Sequence, residues 1–92
     1  MIKIIRLNSG EELLAETSIS NGVYTLKDVS IIIPTENGVG LMDFMAYSTV
    51  PEKGLEIKSD FIAFTTEPVD GLRKQYQKAY SKIITPSQGL IT

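Results

Sequence analysis

The sequence predicts a mainly β domain, a small antiparallel sheet or barrel, closed by one amphipathic helix at its C-terminal end. Three observations carry this. Short apolar runs rich in Ile and Val are separated by turn residues: Asn8-Ser9-Gly10, Ser20-Asn21-Gly22, Asn37-Gly38 and Pro51 to Gly54. The connections are short, as antiparallel neighbours allow. After Pro68 the apolar period lengthens from strand spacing to steps of three and four.

The first strand is Ile2 to Leu7, where Ile2, Ile4, Ile5 and Leu7 are interrupted by Lys3 and Arg6. Asn8-Ser9-Gly10 supplies a turn. Leu13 to Ile19 forms the second strand, and Asn21-Gly22 is the strongest short-range hairpin signal. Val23 to Ile33 is a long third strand, with Asp28 marking a bend or bulge. Ile31, Ile32 and Ile33 place apolar groups on both of its faces. A fourth strand runs from Val39 to about Tyr47, then Pro51 to Gly54 forms a loop. Leu55, Ile57, Phe61, Ile62 and Phe64 make a last strand, broken near Ser59-Asp60, with Phe61 and Phe64 in the core. The strand count is five.

Val69, Leu72, Tyr76, Ala79, Tyr80 and Ile83 then recur on one helical face, over about 69–83. Pro68 suits the first turn and Thr66 or Glu67 can cap it. Pro86 and Gly89 stop the helix. Residues 1–84 therefore read as a single domain and 85–92 as a flexible tail.

With 92 residues the core is thin. There is no Cys and no His, so disulfides and the usual structural zinc sites are excluded. Association with other chains is the remaining staple, and a homo-oligomer is expected. The same absences remove Ser–His and Cys–His catalysis. Glu12 and Glu16 could share a strand face for acid–base work or a hard cation, but a solvated face explains them better. Gly38-Val39-Gly40 opens a strand and lacks a third Gly, so no phosphate loop is expected. The sequence reads as a non-enzyme without cofactor or metal.

The N-terminal run is broken by charge twice in seven residues, unlike a signal peptide, and no apolar run reaches the roughly 18 residues of a membrane span. A cytoplasmic protein without membrane contact is expected. Net charge is −2, but residues 1–67 carry −5 and residues 68–92 carry +3. Any polyanion contact must then come from a local patch. Arg73, Lys74, Lys78 and Lys82 form one such face on the helix, although basic residues near a helix C-terminus also have a plain electrostatic role. Tyr24, beside the Asn21-Gly22 turn, is a candidate stacking platform, with cross-strand packing as the simpler role.

Leu7-Asn8-Ser9-Gly10, Ala15, Asn21 and Tyr24-Thr25-Leu26 resemble the first Sm motif. Ile57-Lys58-Ser59-Asp60-Phe61-Ile62-Ala63-Phe64 resembles the second, in the right order and at the right separation. The whole chain is similar to the short Sm-like proteins of cyanophages. The resemblance implies a strongly bent five-stranded antiparallel barrel and a cyclic homo-oligomer built by pairing the fourth strand of one subunit with the fifth of the next. It also implies single-stranded U-rich or A-rich RNA bound at the pore, as for an RNA chaperone or regulator. Carried over by position, Asn21, Val23 and Thr25 fall in one RNA-binding loop, with Val23 where the motif has its stacking aromatic and Tyr24 one place further on, and Lys58, Ser59 and Asp60 fall in the other. Lys58 stands where the motif has Arg, Ser59 where it has Gly and Asp60 where it has Asn. Lys cannot stack or bond bidentately as Arg does, and Asp60 brings a carboxylate toward phosphate. The alternative reading is a ring-shaped, phage-encoded protein-interaction scaffold that has lost RNA binding. Leu41, Phe44 and the Phe61–Phe64 strand are the expected interface, and a phage origin would place the protein in the host cytoplasm.

Overall fold

A computed structural model describes residues 1–80. Lys82, Ile83 and the predicted tail at 85–92 lie outside the described residues. The described chain is one antiparallel sheet with helical segments at its margins. Its strands are β1 (Ile2–Leu7), β2 (Glu12–Ser20), β3 (Val23–Thr35), β4 (Gly38–Asp43), β5 (Leu55–Lys58) and β6 (Ile62–Thr66). The helical segments are α1 (Val50–Lys53) and α2 (Asp70–Ala79). The strand order is β4-β3-β2-β1-β6, with β5 pairing the N-terminal half of β3.

Six strands replace the expected five because the last predicted strand is two. A 3-10 turn over Ser59–Phe61 separates β5 from β6, at the break the sequence marks near Ser59-Asp60. β5 pairs β3 and β6 pairs β1, so the turn carries the chain from one part of the sheet to another. No ladder among the described residues joins β6 to β4 or β5, and the sheet does not close into a barrel.

The β2–β3 hairpin is the Asn-Gly turn the sequence predicts. Ser20 pairs Val23, and Asn21 (φ 51°) and Gly22 (φ 77°) both take the left-handed conformation, as a type I′ turn demands. Asp28 is a bulge, also as expected: Leu14 pairs Ser30 while Glu16 pairs Lys27, and Asp28 has φ 51°. The second Asn-Gly behaves differently. Thr35 pairs Gly38, so the turn is Glu36-Asn37 and Gly38 already opens β4. Pro34 is tolerated in β3 because β2 ends its pairing with β3 at Ile31, leaving no ladder on that side for a Pro N–H to serve.

β4 stops at Asp43, short of the predicted Tyr47. Met45 takes φ 53° and turns the chain, and Tyr47 is 89% exposed. What reads as a loop at Pro51 contains α1, with Pro51 in its first turn, where its missing N–H costs nothing. Gly54 ends α1 with φ 83°, its N–H on the Val50 carbonyl at 2.8 Å. A Cβ on Gly54 would lie 2.5 Å from the Leu26 carbonyl oxygen, so glycine is required here.

The core lies on the inner face of the sheet: Ile5, Leu13, Ala15, Leu26, Val29 and Val50, with Tyr24, Ile31, Phe44, Leu55, Ile57 and Ile62 packed around it. Leu14 faces the other way and is also fully buried. Its cross-strand partner Ser30 bonds Tyr80 on that side (Oγ to hydroxyl, 2.5 Å), so the outer face is covered by α2 and the residue that ends it. Both faces of the central strands are thus occupied, as the three consecutive isoleucines imply.

α2 starts at Asp70, with Val69 at its N-cap and no side-chain cap. Pro68 is buried outside the helix, and Glu67 is engaged elsewhere, bridging Lys3 (2.6 Å) and Arg73 (3.0 Å). Tyr76 is its anchor, 3% exposed.

Phe61 and Phe64 are not core residues; they are 60% and 52% exposed. Leu55 and Ile57 point inward, and unbroken alternation would send Phe61 the same way. The 3-10 turn changes the phase, so Ile62 packs inward instead. A register shift at Ala63 changes it again, and Thr65 rather than Phe64 pairs with the inward Ile5.

Candidate nucleic-acid interface

The two segments that resemble Sm motifs meet at one end of the sheet. Val23 pairs Lys58, and the Ser59 N–H donates to the Gly22 carbonyl at 2.8 Å. The turn after β1 joins them through the same 3-10 segment. The Asn8 side-chain amide donates to the Asp60 carbonyl at 2.7 Å, and the Asn8 N–H donates to the Phe61 carbonyl at 3.0 Å. Three turns distant in sequence therefore form one surface, held by main-chain acceptors that leave most side chains free.

Asn21, Lys58, Ser59 and Asp60 are exposed on that surface. They offer amide and hydroxyl groups, one cation and one carboxylate. Neither Lys58 nor Asp60 makes an ion pair among the described residues. Tyr24 is placed otherwise than a free platform. It is half-buried against the core, beside Ile57 across the β3–β5 ladder. Thr25, one residue on, is half-buried opposite Glu56.

Phe61 is the aromatic that sequence reasoning misplaces. It follows Asp60 in the 3-10 turn and exposes more than half its surface, next to the polar groups. The signal was present: Ser59-Asp60 breaks the strand pattern just before it, which resets which side chains face inward.

Tyr24 also lines an apolar cleft of about 490 Å³, with Ile19, Met1, Lys3, Thr17, Ser18 and Thr65. The Lys3 ammonium at this cleft is already paired with Glu67. Glu67 is held below the usual carboxylate range by its hydrogen bonds from Lys3 and Arg73. Glu11 lies below that range as well, by a hydrogen bond from Ser9.

The other sequence-predicted residues do not join this surface. Arg73 is half-buried and paired with Glu67, so the basic helix face is reduced, among the described residues, to Lys74 and Lys78. Glu12 pairs Arg6 at 2.9 Å, and Glu16 pairs the Met1 amino group. Each carboxylate thus has its own cation. Gly38-Val39-Gly40 lies within the β3–β4 hairpin. The arrangement at the motif surface suits hydrogen bonding, one phosphate contact and stacking on Phe61. No described helix is long and apolar enough to cross a membrane. No protein-family model matches this chain, and no curated protein matches it.

Proposed function

We propose that the chain is an Sm-like protein that assembles into a ring and binds single-stranded RNA through the surface built by Asn21, Lys58, Ser59, Asp60 and Phe61. The observation that carries this reading is the 2.8 Å bond from Ser59 N–H to the Gly22 carbonyl, which stitches the two motif loops into one surface. The strongly bent barrel is the architecture proposed for the assembled protein. β3–β2–β1–β6 runs back to β3 through the 3-10 turn and β5, as a nearly closed sheet would. Of the three strands with an open side, β4, β5 and β6, we take β4 and β6 as the edges a neighbouring copy would pair with. Exposed Met42 and Phe64 lie on them.

A second reading, a ring that acts as a protein scaffold, is favoured by the acidity of residues 1–67 and by Asp60 within the surface. One experiment separates them. Oligouridylate and oligoadenylate are titrated against the protein at two salt concentrations, with particle mass measured alongside. RNA binding that weakens with salt supports the first reading. A ring that binds neither oligonucleotide at low salt supports the scaffold. A stable monomer at micromolar concentration refutes both.

A further inference from the structure

The β4 edge is not bare. Thr35 and Gly38 flank a two-residue turn, so they form a hydrogen-bonded pair. The Phe44 N–H donating to the Val29 carbonyl at 2.9 Å keeps the same phase. Alternation then points the main-chain N–H and C=O groups of Val39, Leu41 and Asp43 away from β3, along the open edge. One side chain of the α2 segment reaches those main-chain groups, and a second holds a β4 side chain beside them. The Gln75 amide donates to the Val39 carbonyl at 3.0 Å. The Tyr80 hydroxyl donates to Asp43 Oδ1 at 2.9 Å. Between them Leu41 keeps its outward N–H and C=O without a partner among the described residues.

The β6 edge differs. Odd-numbered residues of β1 bond β2, as Thr17 N–H to Met1 C=O and Leu7 N–H to Glu11 C=O demonstrate. Ile4 and Arg6 therefore bond Thr66 and Phe64, and the Thr65 main chain points outward. No hydrogen bond from α2 reaches it among the described residues. Unpaired edges invite pairing with another chain, and proteins commonly cover them.

We propose that α2 is an intramolecular competitor for the β4 edge: Gln75 and Tyr80 hold it where a strand of a second copy would pair, so copies add at β4 only when α2 is displaced. This rests on the ring reading above. A strand from a neighbour would donate to the Val39 carbonyl that Gln75 now occupies, and both donors cannot approach it along the same line. β6, whose outward Thr65 groups have no partner among the described residues, is the strand that can be offered to a neighbour without such displacement.

The test compares the wild-type chain with Gln75→Ala, Tyr80→Phe and the control Gln77→Ala, an exposed change on the same helix. Particle mass is measured over a dilution series, with circular dichroism to check folding. Losing one net hydrogen bond from the closed state should lower the protein concentration at half-assembly about fivefold in Gln75→Ala. Tyr80→Phe should act in the same direction, and Gln77→Ala should change nothing. A monomeric wild type beside an assembling Gln75→Ala variant also supports the proposal. If wild type assembles and the Gln75→Ala midpoint is unchanged or raised, α2 is not a competitor, while the ring reading stands. An equal shift in Gln77→Ala overturns the proposal too, since helix propensity alone would explain it. If every form stays monomeric, the ring reading fails and the competitor role fails with it.

Discussion

Tyr76→Phe should be the most informative substitution for how α2 is held. The Tyr76 hydroxyl oxygen accepts the Glu16 N–H at 3.1 Å, and its proton is shared between the carbonyls of Asp28 at 2.8 Å and Lys27 at 3.2 Å. These are main-chain groups around the Asp28 bulge, where the register shift disturbs the β2–β3 ladder. Phenylalanine keeps the ring, which is 3% exposed, and strips only the hydroxyl. A donor and an acceptor in a part-buried site then lose their partner, which costs about 1–3 kcal/mol. For a domain of this size that lowers Tm by about 4–8 °C per kcal/mol. Urea unfolding followed by circular dichroism, at one protein concentration and pH 7, measures it directly. A loss below about 0.5 kcal/mol would refute the idea that the hydroxyl docks the helix. The pH dependence supplies a second arm. Burial, with the Asp28 carboxylate nearby, pushes the Tyr76 hydroxyl well above its ordinary value, so the folded chain holds a proton that the unfolded chain releases near pH 10. This contribution is complete below that pH and is lost as pH rises beyond it. Tyr76→Phe should flatten the alkaline loss. Part of it should remain, because burial also raises the Tyr80 hydroxyl.

Three further outcomes are expected. Gly54→Ala should destabilise by roughly 1–3 kcal/mol in the same unfolding assay, since its Cβ would press on the Leu26 carbonyl at a positive φ. Lys58→Ala should weaken oligouridylate binding and reduce the log–log salt slope by about 0.7, the value for one phosphate contact on a single strand. Asp60→Asn should strengthen the same binding, and an unchanged affinity in both variants would move RNA away from this surface. Phe64→Asp should shift particle mass toward the monomer with circular dichroism unchanged, because the side chain is 52% exposed and carries no core packing.

Local chemistry made the β-rich class, the Asn21-Gly22 hairpin, the Asp28 bulge and the Leu72, Tyr76 and Tyr80 part of the helix face legible in the sequence, whereas Val69 and Ala79, expected on that face, are exposed. Each depends on residues adjacent along the chain: a turn that needs two left-handed residues, or a period of two giving way to 3.6. The candidate surface was legible in part. Asn21, Lys58, Ser59 and Asp60 could be named from motif likeness, but only the fold brings Ser59 to Gly22 and Asp60 to Asn8. The orientation of Phe61 and Phe64 depended on two phase changes: the 3-10 turn, which the sequence marks only as a break at Ser59-Asp60, and the register shift at Ala63, of which side-chain alternation carries no record. The end of β4, the one-turn α1 and the docking of Tyr76 were decided by tertiary structure as well. The last two rest on contacts between segments tens of residues apart, Gly54 against Leu26 and the Tyr76 hydroxyl on Asp28, while β4 ends where Met45 takes a positive φ. A sequence pattern reports which groups prefer to be buried, whereas the partner that buries them is fixed only when the whole sheet is assembled.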